Sequence, residues 1–200
     1  MSTLRFFTTA VEGGPDVVVV DRILELAGLQ RGPVYVTGGK GMLDKRLRGY
    51  NAAAKFSPWL VLRDMDHDAD CAPALRNTLL PAPSDLMHFR IAVRAVEAWL
   101  LGDHLRISSF LGIAATKIPP APETLSDPKG AVVQLASLSR RASIRDDLVP
   151  IRGSTSHVGP GYTARMIEFA SSYWRPEIAA RRSPSLLHCI QQLKKYAADC

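Results

Sequence analysis

The run Trp59 to Leu62, WLVL, does most to limit what this chain can fold into. It has the length of a strand, and its unbroken apolar character requires cover on both faces, as in a parallel sheet sandwiched by helices. The preceding segments fit that reading. Leu4 to Val11 is a short strand rich in aromatic and β-branched residues that stops at Glu12-Gly13-Gly14-Pro15, and Asp16 to Leu29 carries apolar residues at helical spacing, with Pro15 near its start and Gly28 near its end. Val34 to Thr37 is a second strand, followed by the Gly38-Gly39-Lys40-Gly41 turn and a helix over Met42 to Lys55. After Leu62 come a helix from Pro73 to Leu80, a fourth strand from Leu86 to Val93, and a helix beginning at Ala95. Strands alternating with helices imply parallel pairing and right-handed crossovers, which places Glu12, Gly38 and Asp64 on one edge of the sheet, where ligands of such sheets collect.

From about Lys117 the texture changes to a proline-rich connection, KIPPAPETLSDP. Helices follow over Pro128 to Arg141, Gly161 to Trp174 and Pro184 to Tyr196. The expected architecture is an α/β domain over residues 1–115 with a helical C-terminal extension, 116–200, packed on it. Two hundred residues suffice to bury a core. The three cysteines, Cys71, Cys189 and Cys200, form no C-x-x-C pair and indicate neither a disulfide framework nor a structural zinc site. No run approaches the length of a membrane span and MSTLRFF does not read as a signal peptide, so a cytoplasmic protein is expected. The net charge of +6 favours a polyanionic partner only mildly.

The loop after the third strand, RDMDHDADC, crowds together Asp64, Asp66, Asp68 and Asp70. If the chain stays extended, Asp64 and Asp66 point the same way. Mg²⁺ or Mn²⁺ favours such oxygen donors. Asp68 could add a ligand, whereas Asp70 is expected to cap the following helix. A solvated loop that caps a helix is the plain alternative, and the spacing does not fit an EF-hand. Glu12 adds weight to the metal reading because topology brings it to the same edge, although an acidic residue before a helix also has a dipole explanation.

VEGGPDVVVVDRIL followed by WLVLRDMDHD resembles the TOPRIM domain, found in topoisomerases, bacterial primases, ribosomal-RNA maturases and the overcoming-lysogenization-defect nucleases. The resemblance covers about the first 100 residues. It implies a TOPRIM-like Rossmannoid sheet with Glu12-Gly13 after the first strand and Asp64 and Asp66 after the third. RIAVRAVEAWLLGD and the later Asp127-Pro128-Lys129 resemble a branch of this family related to the nuclease group and associated with phage defence, which adds Glu97 and Lys129 to the candidate residues. Arg63, directly before the aspartates, departs from the usual apolar residue; it either faces solvent or pairs with a carboxylate.

The resemblance implies a metal-dependent endonuclease acting on DNA or RNA. Glu12, Asp64 and Asp66 would hold Mg²⁺ or Mn²⁺, Glu12 acting as ligand or general base, Glu97 as a further metal or water ligand, and Lys129 as a charge stabiliser. The alternative is a non-catalytic TOPRIM-like subunit that binds an ATPase, since the chain has no Walker motif of its own; self-association stays open. Other segments have plain explanations. GGKG suits a phosphate contact or, more simply, a turn, and His67 a solvated loop histidine. RGSTSHVGPGY suits a phosphate clasp or a turn. Lys45, Arg46, Arg48, Arg140, Arg141 and Arg145 suit solvated helix faces, and Trp59, Trp99 and Trp174 suit packing.

Overall fold

The computed structural model describes residues 6–199. Four strands, β1 (Phe6–Val11), β2 (Gln30–Val36), β3 (Trp59–Asp64) and β4 (Met87–Ala92), form one sheet in the order β2-β1-β3-β4. Every pairing is parallel. The crossovers are helices: α1 (Gly14–Leu26), α2 (Lys40–Ala53) and α3 (Ala72–Leu79). The chain is therefore α/β and Rossmann-like in its sheet, as the alternation of short apolar runs and helical segments predicted.

Side-chain alternation along the strands splits the core in two. Phe7, Val11, Leu60, Leu62 and Ala92 face one layer, where they pack with Val19, Val20 and Ile23 of α1 and with the helices of the second half. Ala10, Trp59, Val61, Phe89 and Ile91 face the other, against Leu43, Leu47 and Tyr50 of α2 and Leu75 of α3. Trp59 stacks on Tyr50 at 5.0 Å between ring centroids. Burial on both faces explains why β3 reads as a continuous apolar run. It also explains what Arg63 does. Sharing the parity of Trp59 and Val61, it points toward α2 rather than solvent, and only 3% of it is exposed.

After β4 come α4 (Val96–Gly102), α5 (His104–Leu111), α6 (Pro128–Ser137), α7 (Ala142–Leu148), α8 (Tyr162–Ser172), α9 (Pro176–Ala179) and α10 (Pro184–Asp199). These helices share one core with the sheet: Trp99, Val132, Leu148, Phe169, Trp174, Leu186 and Leu193 lie in the same cluster as Phe7 and Leu60. The two large indoles anchor that layer, Trp174 Nε1–H donating to the Trp99 carbonyl at 3.2 Å and Trp99 Nε1–H to Ser185 Oγ at 2.7 Å. Among the described residues, no helix is long and apolar enough to cross a membrane.

Several boundaries differ from the sequence expectation for identifiable reasons. β2 begins at Gln30, because an edge strand tolerates Gly32-Pro33, which a central strand would not. The helix expected over Pro128 to Arg141 ends at Ser137. There Ser139 Oγ donates to the Leu111 carbonyl and accepts from the Arg141 N–H. Leu4 and Cys200 lie outside the described residues.

Candidate functional site

Glu12 and Asp64 sit where β1 and β3 end. Parallel strands side by side bring these ends together, and the Asp64 N–H donates to Glu12 Oε1 at 3.0 Å. The Glu12 carbonyl accepts from Gly38 and Gly39 N–H at 3.0 and 3.1 Å, tying the β2 exit to the same point. That turn needs φ of +76° and +126°, which glycine supplies without steric cost. Asp64 Oδ1 in turn accepts the Val96 N–H at 3.0 Å, so it satisfies an otherwise orphaned donor at the start of α4.

Two acids that approach from the helical layer complete the cluster. Asp16, third residue of α1, is 7% exposed and accepts from the Gly13 N–H at 2.9 Å. Glu97, in the first turn of α4, is 5% exposed. It is thus a buried acid, not the solvated helix glutamate its position allowed. Its Oε1 accepts from Tyr162 Oη–H at 3.0 Å, and Lys129 Nζ stands 3.8 Å away, over the Tyr162 ring. Asp127 caps α6 through the Gly130 N–H at 2.8 Å, and this cap, with Pro128 at the first helical position, sets the helix start that carries Lys129.

Burial and mutual repulsion leave Glu12, Asp16 and Asp64 reluctant to ionise. Glu12 is pushed up to about 7, by burial first and then by Asp16 and Asp66 against the Asp64 hydrogen bond. Asp16 is pushed up to about 6 by burial and Glu97. Asp64 is held well above the usual carboxylate range by burial, Asp16, Glu97 and Glu12. The Tyr162 phenol is driven far above its ordinary value by burial and by Glu97. Among the described residues, none of Glu12, Asp16 and Asp64 makes an ion pair.

The other half of the acidic loop is different. β3 ends at Asp64, and Asp66 adopts φ +48°, so the extended alternation expected to align Asp64 with Asp66 is broken. Asp66 and Arg94, itself at φ +62°, clamp one another: the Asp66 N–H donates to the Arg94 carbonyl at 2.7 Å, and Arg94 Nη1 donates to the Asp66 carbonyl at 2.8 Å. Asp66 Oδ2 accepts from Lys40 Nζ at 2.8 Å. Asp68 binds Lys40 at 3.0 Å and Arg63 at 2.7 Å, which hold its carboxyl below the usual range. Arg63 also makes a two-pronged pair with Asp44, at 3.1 and 2.9 Å. The protein's own cations therefore occupy Asp68, whose place in a metal shell the sequence had left open. Asp70 caps nothing: Cys71 is the N-cap of α3, with no side-chain cap bond.

Asp64, Asp66, Glu97, Lys40, Lys129 and Arg94 line one cavity of about 410 Å³, with His67 and Asp127 on its wall. Among the described residues, no group of three or more His, Cys, Asp or Glu side chains is arranged to hold a metal ion as it stands. Four members of this site, Asp16, Lys40, Arg94 and Tyr162, escape sequence reasoning. Lys40 stands in GGKG at a strand end and was legible as a neighbour, Asp16 looks like an ordinary first-turn acid, and Tyr162 meets Glu97 across 65 positions with no local sign. Arg152 and His157 lie in an exposed turn into α8, and Lys45, Arg46 and Arg48 on the solvent face of α2. Arg141 and Arg145 instead donate to the Phe110 and Ser139 carbonyls. Comparison with protein-family models, with curated proteins and with solved structures found no match to this chain.

Proposed function

We propose that this chain is a metal-dependent phosphodiesterase of TOPRIM type, acting on DNA or RNA, with Glu12, Asp64 and Asp66 as the ion's ligands. The observation that carries the reading is the uncompensated set of carboxyls at the carboxyl ends of β1 and β3. Their donor chemistry fits Mg²⁺ or Mn²⁺, hard ions that take oxygen ligands and keep several waters. Binding an ion would exchange the Lys40–Asp66 pair for a metal bond. When bound, the ion would polarise the phosphodiester and lower the pKa of a bound water.

The remaining roles belong to the chain itself. Where Glu12 does not bind the ion, its acidity near neutrality suits a general base at physiological pH. Glu97 is fixed by Tyr162 and sits on the cavity wall beside Asp64, where it orients water or a further ligand. Lys40, Arg94 and Lys129 bring positive charge to the same cavity and suit the phosphate backbone of a nucleic acid. A place in phage defence follows from the family resemblance alone.

A second reading is favoured by the pairing of Asp66 and Asp68 with Lys40 and Arg63. A loop already neutralised in this way suits a non-catalytic subunit that docks onto an ATPase. Nicking of supercoiled plasmid and cleavage of structured RNA in Mg²⁺ or Mn²⁺ separate the two. Cleavage lost by at least 100-fold in Glu12→Ala and Asp64→Asn, with the circular dichroism spectrum preserved, is the expected result. Cleavage at wild-type rates in both variants contradicts the nuclease reading.

A further inference from the structure

A second cavity, of about 490 Å³, lies along the outer edge of β4, between α3 on one side and the start of α10 on the other. Its volume falls in the range of small-molecule sites. Met65, Phe89, Ile91 and Val93 give it an apolar floor, and Arg76 and Arg90 bring positive charge to its wall, with the His188 imidazole beside them.

The strand edge is open here. In a parallel ladder, alternate residues of a strand direct both backbone groups to the same neighbour. The Leu86 and Ala92 carbonyls accept from the Trp59 and Met65 N–H groups, at 2.9 and 2.8 Å, so the groups of Phe89 and Ile91 point outward along the free edge. Val93 N–H, next in that outward series, donates to Ser185 Oγ at 3.3 Å.

The cations of this cavity lack counterparts. Among the described residues, neither Arg76 nor Arg90 makes an ion pair. Arg90 Nε is buried with no hydrogen-bond partner. Burial pushes Arg90 below its ordinary value and the nearby Arg76 guanidinium adds to this; opposing them is only the Cys189 thiol, which burial raises to about 11 and so keeps neutral. Two carboxylates share the wall without pairing to either arginine. Glu123 accepts from Ser185 N–H at 3.1 Å and Oγ–H at 2.7 Å, and Asp70 is exposed. An unmatched, partly buried guanidinium is costly unless something pairs with it.

We propose that this cavity binds a small amphipathic anion, its carboxylate, sulfonate or phosphate head held by Arg90 and Arg76 and its apolar body laid against Met65, Phe89, Ile91 and Val93. The site is separate from the carboxylate cluster and does not depend on the nuclease reading.

Titration of the full chain with anilinonaphthalene sulfonate, an apolar body with one anionic head, tests this by fluorescence. One saturable site per chain is expected, displaced by octanoate. Arg76→Gln, on an exposed residue, and Arg90→Met should each weaken binding about tenfold, the scale of one lost charge-assisted hydrogen bond. Uncharged N-phenylnaphthylamine should bind more weakly and ignore both substitutions. Occupancy should also slow alkylation of Cys71, an exposed thiol on the cavity wall. Binding without saturation, or binding indifferent to Arg76→Gln in a folded variant, overturns the proposal. So does displacement by an acidic extended peptide but not by octanoate, which would mark the edge as a strand-addition surface.

Discussion

At the scale of single residues, the acidic loop divides its aspartates between two tasks. Asp68 neutralises Arg63 and Lys40, and Asp64 joins Glu12, Asp16 and Glu97 in a cluster short of positive charge. Glu12 is raised in the fold from 4.5 to about 7, so the native state holds a proton that the unfolded chain releases. Its contribution to stability is complete below pH 4.5 and disappears as pH rises through 7, a loss that solvent screening of this partly exposed group brings from about 3.4 down to about 2 to 3 kcal/mol. The melting temperature of metal-free protein should therefore fall between pH 5 and 8. Glu12→Gln, uncharged throughout, should make that fall shallower, leaving the share set by Asp16 and Asp64, and Mg²⁺ should reverse it at pH 8 in the wild type. A melting temperature that does not decline over this range contradicts the electrostatic account. Glu12 and Asp64 were legible because topology alone brings strand ends to one edge. The alignment of Asp66 was not, because a left-handed backbone at one position cannot be read from D-x-D spacing.

At the scale of elements, the site depends on where helices begin and how closely they cross. Asp64 accepts from the first residue of α4, and α4 in turn carries Glu97. The other end of α4 is Gly102, where an added Cβ would lie 2.6 Å from the Ala179 carbonyl oxygen and 3.0 Å from Ser183 Oγ. Backbone is the obstacle, so relief requires α4 and α9 to separate. Gly102→Ala should lower the urea midpoint by the equivalent of about 1 to 3 kcal/mol. It should also loosen Glu97. An unchanged midpoint would mean that the crossing is not tight. The strand-helix order was legible from apolar periodicity, but this crossing was not: nothing in VEAWLLGD marks the glycine as a contact with a segment some 75 positions away.

At the scale of the whole molecule, the second half supplies part of the core and part of the site. The texture change near Lys117 is real in composition, yet Phe7, Leu60 and Val19 share one apolar cluster with Phe169, Trp174 and Leu193. Tyr162 and Lys129 reach Glu97 from across that change. A chain ending at residue 115 should therefore fail to fold cooperatively, as read by loss of a sigmoidal thermal transition. A sharp transition in that fragment would show that the α/β half has a sufficient core of its own. The proposed divalent-ion site is the edge formed by Glu12, Asp64 and Asp66. Anomalous diffraction from a Mn²⁺-soaked crystal tests it most directly. Manganese bound by these three carboxylates, with Lys40 displaced from Asp66, is the expected result. A soaked crystal in which Lys40 still holds Asp66 and no manganese lies among the three would contradict it.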